Sequence, residues 1–260
     1  MERSVYLRGV FFALLTVFIW SGFIIVSRLG GKGLLTAFDV VALRFGVSGL
    51  ALLPLLARRG LRTLTVPRLL ALATTGGLGY SLLVYSAFRL APAPHASIFL
   101  PGALPFETAL VAFLLLGERP DRRKVVALSL MGAGIVGVAI DVFSGAGAGG
   151  ELSWFGDLLF LAASSCWAFF TVLLRQWKVA PWDATIGVAV ASILIYLPFY
   201  LLFLPKAVSL APWSEIAMQG IYQGVLVVFV AMILYTRAVA DIGASPVSLI
   251  MATEIGRAHV

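Results

Sequence analysis

The segment WSGFIIVSR at residues 20–28 has a counterpart, WAFFTVLLR, at residues 167–175. Both begin with tryptophan and end with arginine at the same interval, and Asp39 recurs as Asp183 at the head of the apolar run that follows each copy. Self-similarity of this kind indicates a duplicated unit. We therefore expect two related halves, each made of membrane-length segments.

The composition indicates an integral membrane protein. Hydrophobic residues make up 61% of the chain and charged residues 12%, and the mean hydropathy is +1.02. A soluble domain carries about 25% charged residues. The apolar runs are long enough for helical spans, which need about 20 residues, whereas barrel strands are about half as long and alternate in polarity. The expected fold class is all-α.

Nine helical spans are predicted, and they are separated into two groups by a Gly-rich stretch. Five precede this stretch, and an odd number of spans per unit makes the second copy enter the membrane in the opposite orientation. The spans are expected at about residues 10–27, 37–57, 69–88, 93–116, 124–141, 156–174, 184–204, 217–237 and from 244 onward. The expected divisions are 1–143 (first five-helix repeat), 144–153 (Gly-rich linker) and 154–254 (second repeat, incomplete because ten helices are expected).

The last residues, 255–260, are expected to be non-native. Arg257 and His259 would place polar groups in a span that has barely begun, which is costly in lipid. One back-translation of residues 254–260 contains the start of a common sequencing-library adapter. We hypothesise that the native reading frame ends near Glu254, and no function is assigned to Arg257 or His259.

The distribution of positive charge predicts a cytoplasmic N-terminus. With that orientation, thirteen Lys and Arg residues lie on the cytoplasmic side and four on the outer side, namely Arg28, Lys32, Arg89 and Lys206. The net charge of +7 is thus explained by membrane orientation, and nucleic acid is not an expected partner. The single cysteine, Cys166, excludes an internal disulfide and a multi-cysteine metal site.

Three short motifs carry a family resemblance. They are Trp20-Ser21, the run Ala42-Leu43-Arg44-Phe45, and Pro101-Gly102-Ala103-Leu104-Pro105 leading to Leu116-Gly117-Glu118-Arg119-Pro120. On these motifs the chain resembles, over residues 8–254, the EamA-type drug/metabolite transporter superfamily, whose members have ten helices in two five-helix repeats. The resemblance implies a secondary active transporter in a bacterial plasma membrane that exports or exchanges small metabolites, such as amino acids or other amphipathic solutes.

Other function classes remain as alternatives. A channel-like or regulatory membrane protein stays open. A membrane enzyme is less favoured, because the sequence has neither an HExxH nor a GxSxG motif. No cofactor or metal is expected. The expected partners are a small-molecule substrate, the lipid bilayer and protons as the coupling ion, and association of two copies into a homodimer stays open.

Ionisable and helix-breaking residues of the fourth span are candidates for coupling. Glu107 is the deepest ionisable residue, and it could bind a proton or cation beside a central cavity or be tied structurally to a neighbouring helix. His95 could pair with Glu107 if Pro101 and Pro105 bend the helix, or it could be solvated at the outer interface. The two prolines predict a broken helix beside a cavity.

Charged residues near the ends of other spans have local interpretations. Arg44 could snorkel to the outer interface or hold an anionic group of the substrate. Asp39 and Asp183 are predicted to be helix N-caps. Glu118 is predicted to pair with the basic residues at 119–124.

Polar and aromatic residues are candidates for the wall of a substrate cavity. In the eighth span, Gln219, Tyr222 and Gln223 share one helical face, which cannot comfortably face lipid. The other wall candidates are Trp20, Tyr80, Phe99 and Trp167, whereas Tyr85 and Tyr235 fit an interfacial aromatic belt better. Close helix packing is predicted at three pairs of small residues: Ala42 and Gly46, Ala133 and Gly137, and Gly220 and Gly224.

Overall fold

The computed structural model describes residues 3–144 and 150–252 of the chain, and within them the regular elements are helices. The predicted non-native tail, with Arg257 and His259, lies outside the described residues, as do residues 145–149 of the Gly-rich linker. The helices are α1 (Arg3–Lys32), α2 (Ala37–Arg59), α3 (Val66–Leu90), α4 (Ala93–Leu116), α5 (Arg122–Ser144), α6 (Ser153–Gln176), α7 (Pro181–Phe203), α8 (Trp213–Ile242) and α9 (Ala244–Met251).

Length and composition allow seven of these helices to cross a membrane, namely all except α5 and α9. Large apolar side chains on the outside of the bundle, such as Phe18, Leu130 and Leu202, are more than two-thirds exposed. Such a surface suits contact with lipid rather than water. The prediction of an all-α multi-pass membrane protein is confirmed, whereas the nine spans and the inverted repeat stay predictions.

Three helices contain π-helical stretches. These are Ala73–Leu78 in α3, Ile98–Gly102 in α4 and Gly220–Ala231 in α8. In α4 the stretch contains Pro101, and Pro105 lies at the start of the α-helical segment that follows. Because proline lacks the backbone N–H and crowds the preceding turn, the regular ladder is interrupted there. The π-helical stretch of the fourth span includes Pro101, and a kink at the two prolines stays a prediction.

The two halves pack against each other through paired helices. Extensive contacts join α1 to α8, α3 to α6, α4 to α6 and α2 to α7. At the α2–α7 crossing a Cβ atom on Gly49 would lie 2.5 Å from Ile193 Cγ2. Where α8 crosses α2, a Cβ atom on Gly224 would lie 2.7 Å from Val47 Cβ. Close approach of these helices therefore requires glycine at both points.

The small-residue pairs gave one correct and two wrong predictions of close packing. Gly220 and Gly224 lie against α2, as expected. A Cβ atom on Gly46 or Gly137 would have no described neighbour within 4 Å, apart from its own helix and adjacent residues. Small residues allow close approach but do not direct the face that carries them toward a neighbour.

Asp39 joins the start of α2 to the chain that follows α7. Thr36 is the N-cap of α2 and Asp39 the third residue of the helix, so the two form a capping box. The Asp39 carboxylate also accepts a hydrogen bond from Ala207 N at 3.0 Å and one from the Tyr200 hydroxyl. The N-cap prediction for Asp39 is therefore wrong, because the side chain is used to hold a distant loop.

Asp183 makes the corresponding connection from the second half. It is the third residue of α7, and its Oδ2 accepts hydrogen bonds from Arg62 N at 2.9 Å, Thr63 N at 2.7 Å and Thr63 Oγ1 at 2.7 Å. These donors belong to the loop after α2. Ala180 occupies the N-cap position, so the N-cap prediction for Asp183 is also wrong. Each half thus anchors a loop of the other.

Two ion pairs tie helix ends together. Arg8 donates two hydrogen bonds of 2.9 Å to the Asp241 carboxylate, which joins the start of α1 to the end of α8. Glu118 accepts from Arg175 Nη1 at 2.7 Å, which joins the ends of α4 and α6. Lys124, one of the sequence neighbours predicted to pair with Glu118, interacts electrostatically with it, whereas its hydrogen-bonded partner is an arginine of another helix.

Candidate functional site

A cavity with about 50 Å³ of free volume lies between the two halves. Seven helices contribute to its wall, from α1 to α4 in the first half and from α6, α8 and α9 in the second. The lining residues are Trp20, Phe23, Arg44, Tyr80, Leu100, Pro101, Leu104, Ser164, Trp167, Val227 and Met251. A concave, mostly apolar site with a few polar groups is typical of small-molecule binding.

The duplicated tryptophans meet in the wall of this cavity. The rings of Trp20 and Trp167 pack edge to face with centroids 5.1 Å apart, and Tyr80 lies 4.8 Å from Trp167. Tyr235 packs against both indoles, at 5.1 Å and 5.4 Å, and is fully buried. The interfacial position expected for Tyr235 is therefore wrong, since its ring supports the tryptophans from behind.

Arg44 is the charged residue of the cavity wall. Its exposed fraction is 2%, so the snorkelling interpretation is wrong. Nη1 donates to the Tyr85 hydroxyl at 3.2 Å and to Gln223 Oε1 at 3.5 Å. The guanidinium carbon lies 5.7 Å from the ring centroids of Phe23 and Phe45, within the range of cation–π attraction. Tyr85, also expected at an interface, is buried as part of this network.

Two donors at the cavity, Trp20 Nε1 and Arg44 Nε, are buried and have no hydrogen-bond acceptor among the described residues. The indole of Trp167 interacts with the Tyr235 hydroxyl. Buried polar groups of native proteins nearly always have partners, so unmatched donors at a cavity need an explanation. Acceptor atoms supplied by a bound molecule would satisfy them.

The polar stripe of α8 does not line the cavity, contrary to the prediction. Gln219 Nε2 donates to Val26 O at 2.9 Å, the Tyr222 hydroxyl donates to Ile19 O at 2.8 Å, and Gln223 Nε2 donates to Ser27 Oγ at 3.2 Å. All three acceptors belong to α1. The stripe thus fixes α8 to α1, because α1 lies closer to this face than the cavity does.

Glu107 lies beside the cavity rather than in its wall. Its Oε1 accepts a hydrogen bond from Ser165 Oγ at 2.8 Å. The Ser164 hydroxyl also lies close enough to interact with the carboxylate. Ser165 follows Ser164, which does line the cavity. Phe99 also lies outside the wall, because the π-helical stretch of α4 turns its ring toward Phe143 of α5, 6.4 Å away.

His95 belongs to a separate buried pair. Its ring is fully buried, and Nδ1 lies 2.7 Å from Asp157 Oδ1 at the start of α6. The ring of Phe143 packs against it at 4.6 Å. The solvated position is therefore wrong, and the structure does not bring His95 and Glu107 together, since each bonds a different residue of α6.

Helical spacing could have found two wall residues that the sequence interpretation missed. Phe23 lies three residues after Trp20 and Ser164 three residues before Trp167, so each shares a helix face with a predicted wall residue. The apolar members Leu100, Leu104, Val227 and Met251 carry no such signal in a chain this hydrophobic. Among the described residues, no group of three His, Cys, Asp or Glu could hold a metal ion.

Residues 7–140, about half of the chain, match the sequence model of the EamA-like transporter family. The chain belongs to this family. It is thus a membrane transporter of the drug/metabolite type, and the family consists of transporters rather than enzymes. A multi-pass position in a lipid bilayer and a small-molecule substrate follow from the family and its apolar helices.

Twelve chains of known structure match the fold. One crystal structure aligns with a TM-score of 0.68 and 22% sequence identity over 99% of this chain and 86% of its own. At this identity the likeness concerns the fold alone. No curated protein matches the chain.

Proposed function

We propose that this protein is a secondary active transporter that exports or exchanges a small metabolite, such as an amino acid or another amphipathic solute, by alternating access. The carrying observation is the central cavity, whose wall combines residues of both halves, including Trp20 and Trp167. A site between two packed halves can be opened to either side when one half rocks against the other.

An inverted repeat is part of this proposal, and the helix contacts support it. In an inverted repeat, α1 to α4 would correspond in order to α6 to α9. The contact between α3 and α6 would then match the contact between α8 and α1. The helix α2 packs against α7, which is its own counterpart. Asp39 and Asp183 make matching connections between the halves. The proposed setting is a bacterial plasma membrane with the N-terminus in the cytoplasm, in agreement with the charge distribution.

Glu107 is proposed as the proton-coupling residue. Its carboxylate is partly buried beside the cavity and interacts with the hydroxyls of Ser165 and Ser164. A carboxylate inside a span can exchange a proton as its surroundings change between the two states of the cycle. The neighbouring serines, Ser164 and Ser165, link its environment to the cavity wall.

A transport assay in proteoliposomes tests the proposal. Uptake of labelled phenylalanine and 3-phenylpropionate should saturate with concentration, and a pH gradient should drive it. Glu107→Gln should abolish the pH-driven part, because the amide cannot exchange a proton, whereas Glu151→Gln in an exposed turn should not change it. Unchanged pH-driven flux in Glu107→Gln would exclude coupling through this residue. Flux that never saturates would contradict a transporter and favour a channel.

A further inference from the structure

We propose that the solute of the central cavity is a monovalent organic anion, a carboxylate with an apolar or aromatic body, and that Arg44 binds its charge. This inference rests on the proposed transport function, since it names the substrate class of the same cavity. Four observations carry it: the charge on Arg44, its neutral surroundings, the unmatched indole donor of Trp20 and the apolar remainder of the wall.

Arg44 has no counter-ion among the described residues. The ion pairs within 4 Å in that part of the chain are Arg8 with Asp241, His95 with Asp157 and Arg175 with Glu118. The hydrogen-bond acceptors of the Arg44 guanidinium are neutral, and its Nε has none. A guanidinium remains protonated even when buried, and an uncompensated charge is costly inside a membrane. A bound anion would compensate it.

The indole of Trp20 indicates the same chemistry. Its Nε1 can donate but cannot accept, and it is buried without an acceptor among the described residues. With Arg44 Nε it makes two unmatched donors on residues of one cavity wall. A carboxylate offers two oxygens with about four acceptor positions, so it complements such a set. Hydrogen bonds in which one partner is charged are the stronger kind.

The charge balance distinguishes anions from zwitterions and cations. No residue of the wall carries a carboxylate, and the carboxylate of Glu107 lies outside the wall, bonded to Ser165. An ammonium could lie on an aromatic face, but Arg44 in the same wall would repel it. One guanidinium matches one negative charge, which favours a carboxylate over a phosphate. The apolar residues Phe23, Leu104 and Val227 would contact the body of the molecule.

A binding experiment with three matched probes tests this inference on the purified full-length protein. The probes are 3-phenylpropionate, phenylalanine and phenethylamine, which share a ring and chain but are an anion, a zwitterion and a cation. Quenching of tryptophan fluorescence reports binding, because two indoles lie in the wall. We expect the anion to bind at least about tenfold more tightly than either other probe, which is a difference of about 1.4 kcal/mol.

Variants of charged residues locate the effect. Arg44→Gln should weaken binding of 3-phenylpropionate about tenfold or more, whereas Arg44→Lys should retain part of the preference because the charge remains. Arg89→Gln, a matched change outside the cavity, should have no effect. Glu254→Gln tests a carboxylate that lies outside the described residues, and we expect an unchanged order of the probes. If Arg44→Gln fails to fold, the order of the three probes on the unaltered protein still decides.

Several outcomes would overturn the inference. The inference is wrong if phenylalanine or phenethylamine binds as tightly as 3-phenylpropionate, or if the anion does not bind. It is also wrong if Arg44→Gln leaves the affinity for the anion unchanged, or if Glu254→Gln changes the order of the three probes. Saturable transport of phenylalanine without transport of 3-phenylpropionate would reject the anion and leave the transporter standing. Tight binding of the anion with non-saturating flux would reject the transporter and leave the anion site standing.

Discussion

Trp20 combines two contributions that a single substitution can separate. Its ring packs against Trp167 and Tyr235, while its Nε1 donor lies at the cavity without an acceptor. Trp20→Phe keeps an aromatic ring and removes the donor. We expect it to weaken binding of 3-phenylpropionate about tenfold, because a hydrogen bond to a charged group contributes about 1.5–3 kcal/mol. Fluorescence titration measures the change.

The exposed tryptophan of α6 provides the control for this prediction. Trp154 is 61% exposed and lies outside the cavity, so Trp154→Phe should leave the affinity unchanged. Equal affinities of Trp20→Phe and the unaltered protein would contradict a role for the indole donor.

At the level of single residues, the sequence showed several of the polar and aromatic residues that lie at the cavity, but it did not show which residues they contact. Trp20, Arg44, Tyr80 and Trp167 could be chosen because repetition and intramembrane charge are visible in the sequence, and all four line the cavity. The hydrogen-bond partners of the buried polar groups could not be predicted from the sequence. Nothing in the sequence indicates that Asp157 lies beside His95, since that contact depends on how two separate helices pack.

Helix packing depends on individual glycines, and α2 offers a matched pair to test this. A Cβ atom on Gly49 would lie 2.5 Å from Ile193 Cγ2 and 3.2 Å from Ala189 O, so Gly49→Ala should push α2 away from α7. Overpacking of this kind costs about 1–3 kcal/mol. We expect a lower melting temperature in detergent, measured by differential scanning fluorimetry.

The control lies one helical turn away. Gly46→Ala meets no neighbour within 4 Å, so it should keep or slightly raise the melting temperature, because alanine favours helix over glycine. Equal losses in the two variants would show that helix propensity rather than the crossing determines the effect.

At the level of helices, the sequence predicted where each span lies along the chain, but it did not predict which face of a helix points toward the cavity. Apolar length locates each span because lipid requires it. The face of α8 was derived from a regular α-helix, yet this helix is π-helical over Gly220–Ala231, and its polar stripe bonds α1. In α4 the departure from a regular α-helix at Pro101 could be predicted, because proline alters the backbone wherever it occurs in a helix.

The orientation of the whole molecule can be tested with single cysteines. In a Cys166→Ser background, Glu151→Cys lies between the two halves and Arg58→Cys at the end of α2, and both positions are exposed. With a cytoplasmic N-terminus, a membrane-impermeant maleimide should label Glu151→Cys in intact cells. It should label Arg58→Cys only after permeabilisation. The reverse pattern would contradict the proposed orientation.

The connection between halves gives a prediction for the stability of the whole molecule. Asp183 Oδ2 accepts three hydrogen bonds from the loop after α2. Asp183→Asn keeps one amide oxygen but removes the charge, so the three hydrogen bonds become weaker neutral ones, which costs about 1–3 kcal/mol. We expect a melting temperature several degrees lower and faster proteolysis after Arg62. Asp121→Asn, at an exposed cap, should change the melting temperature little. A melting temperature of Asp183→Asn equal to that of the unaltered protein would contradict the anchoring role.

The exchange of anchors between Asp39 and Asp183 also bears on biosynthesis. The first five helices leave the ribosome before Asp183 has been made, so the loop at Arg62 and Thr63 has no anchor at that stage. The hydrogen bond from Ala207 N to Asp39 likewise cannot form until Ala207 has been synthesised. The nascent first half therefore enters the lipid as an unfinished subunit, and its folding can finish only after translation has passed well into the second. A gene split between the halves would yield two polypeptides that each mature only in the presence of the other.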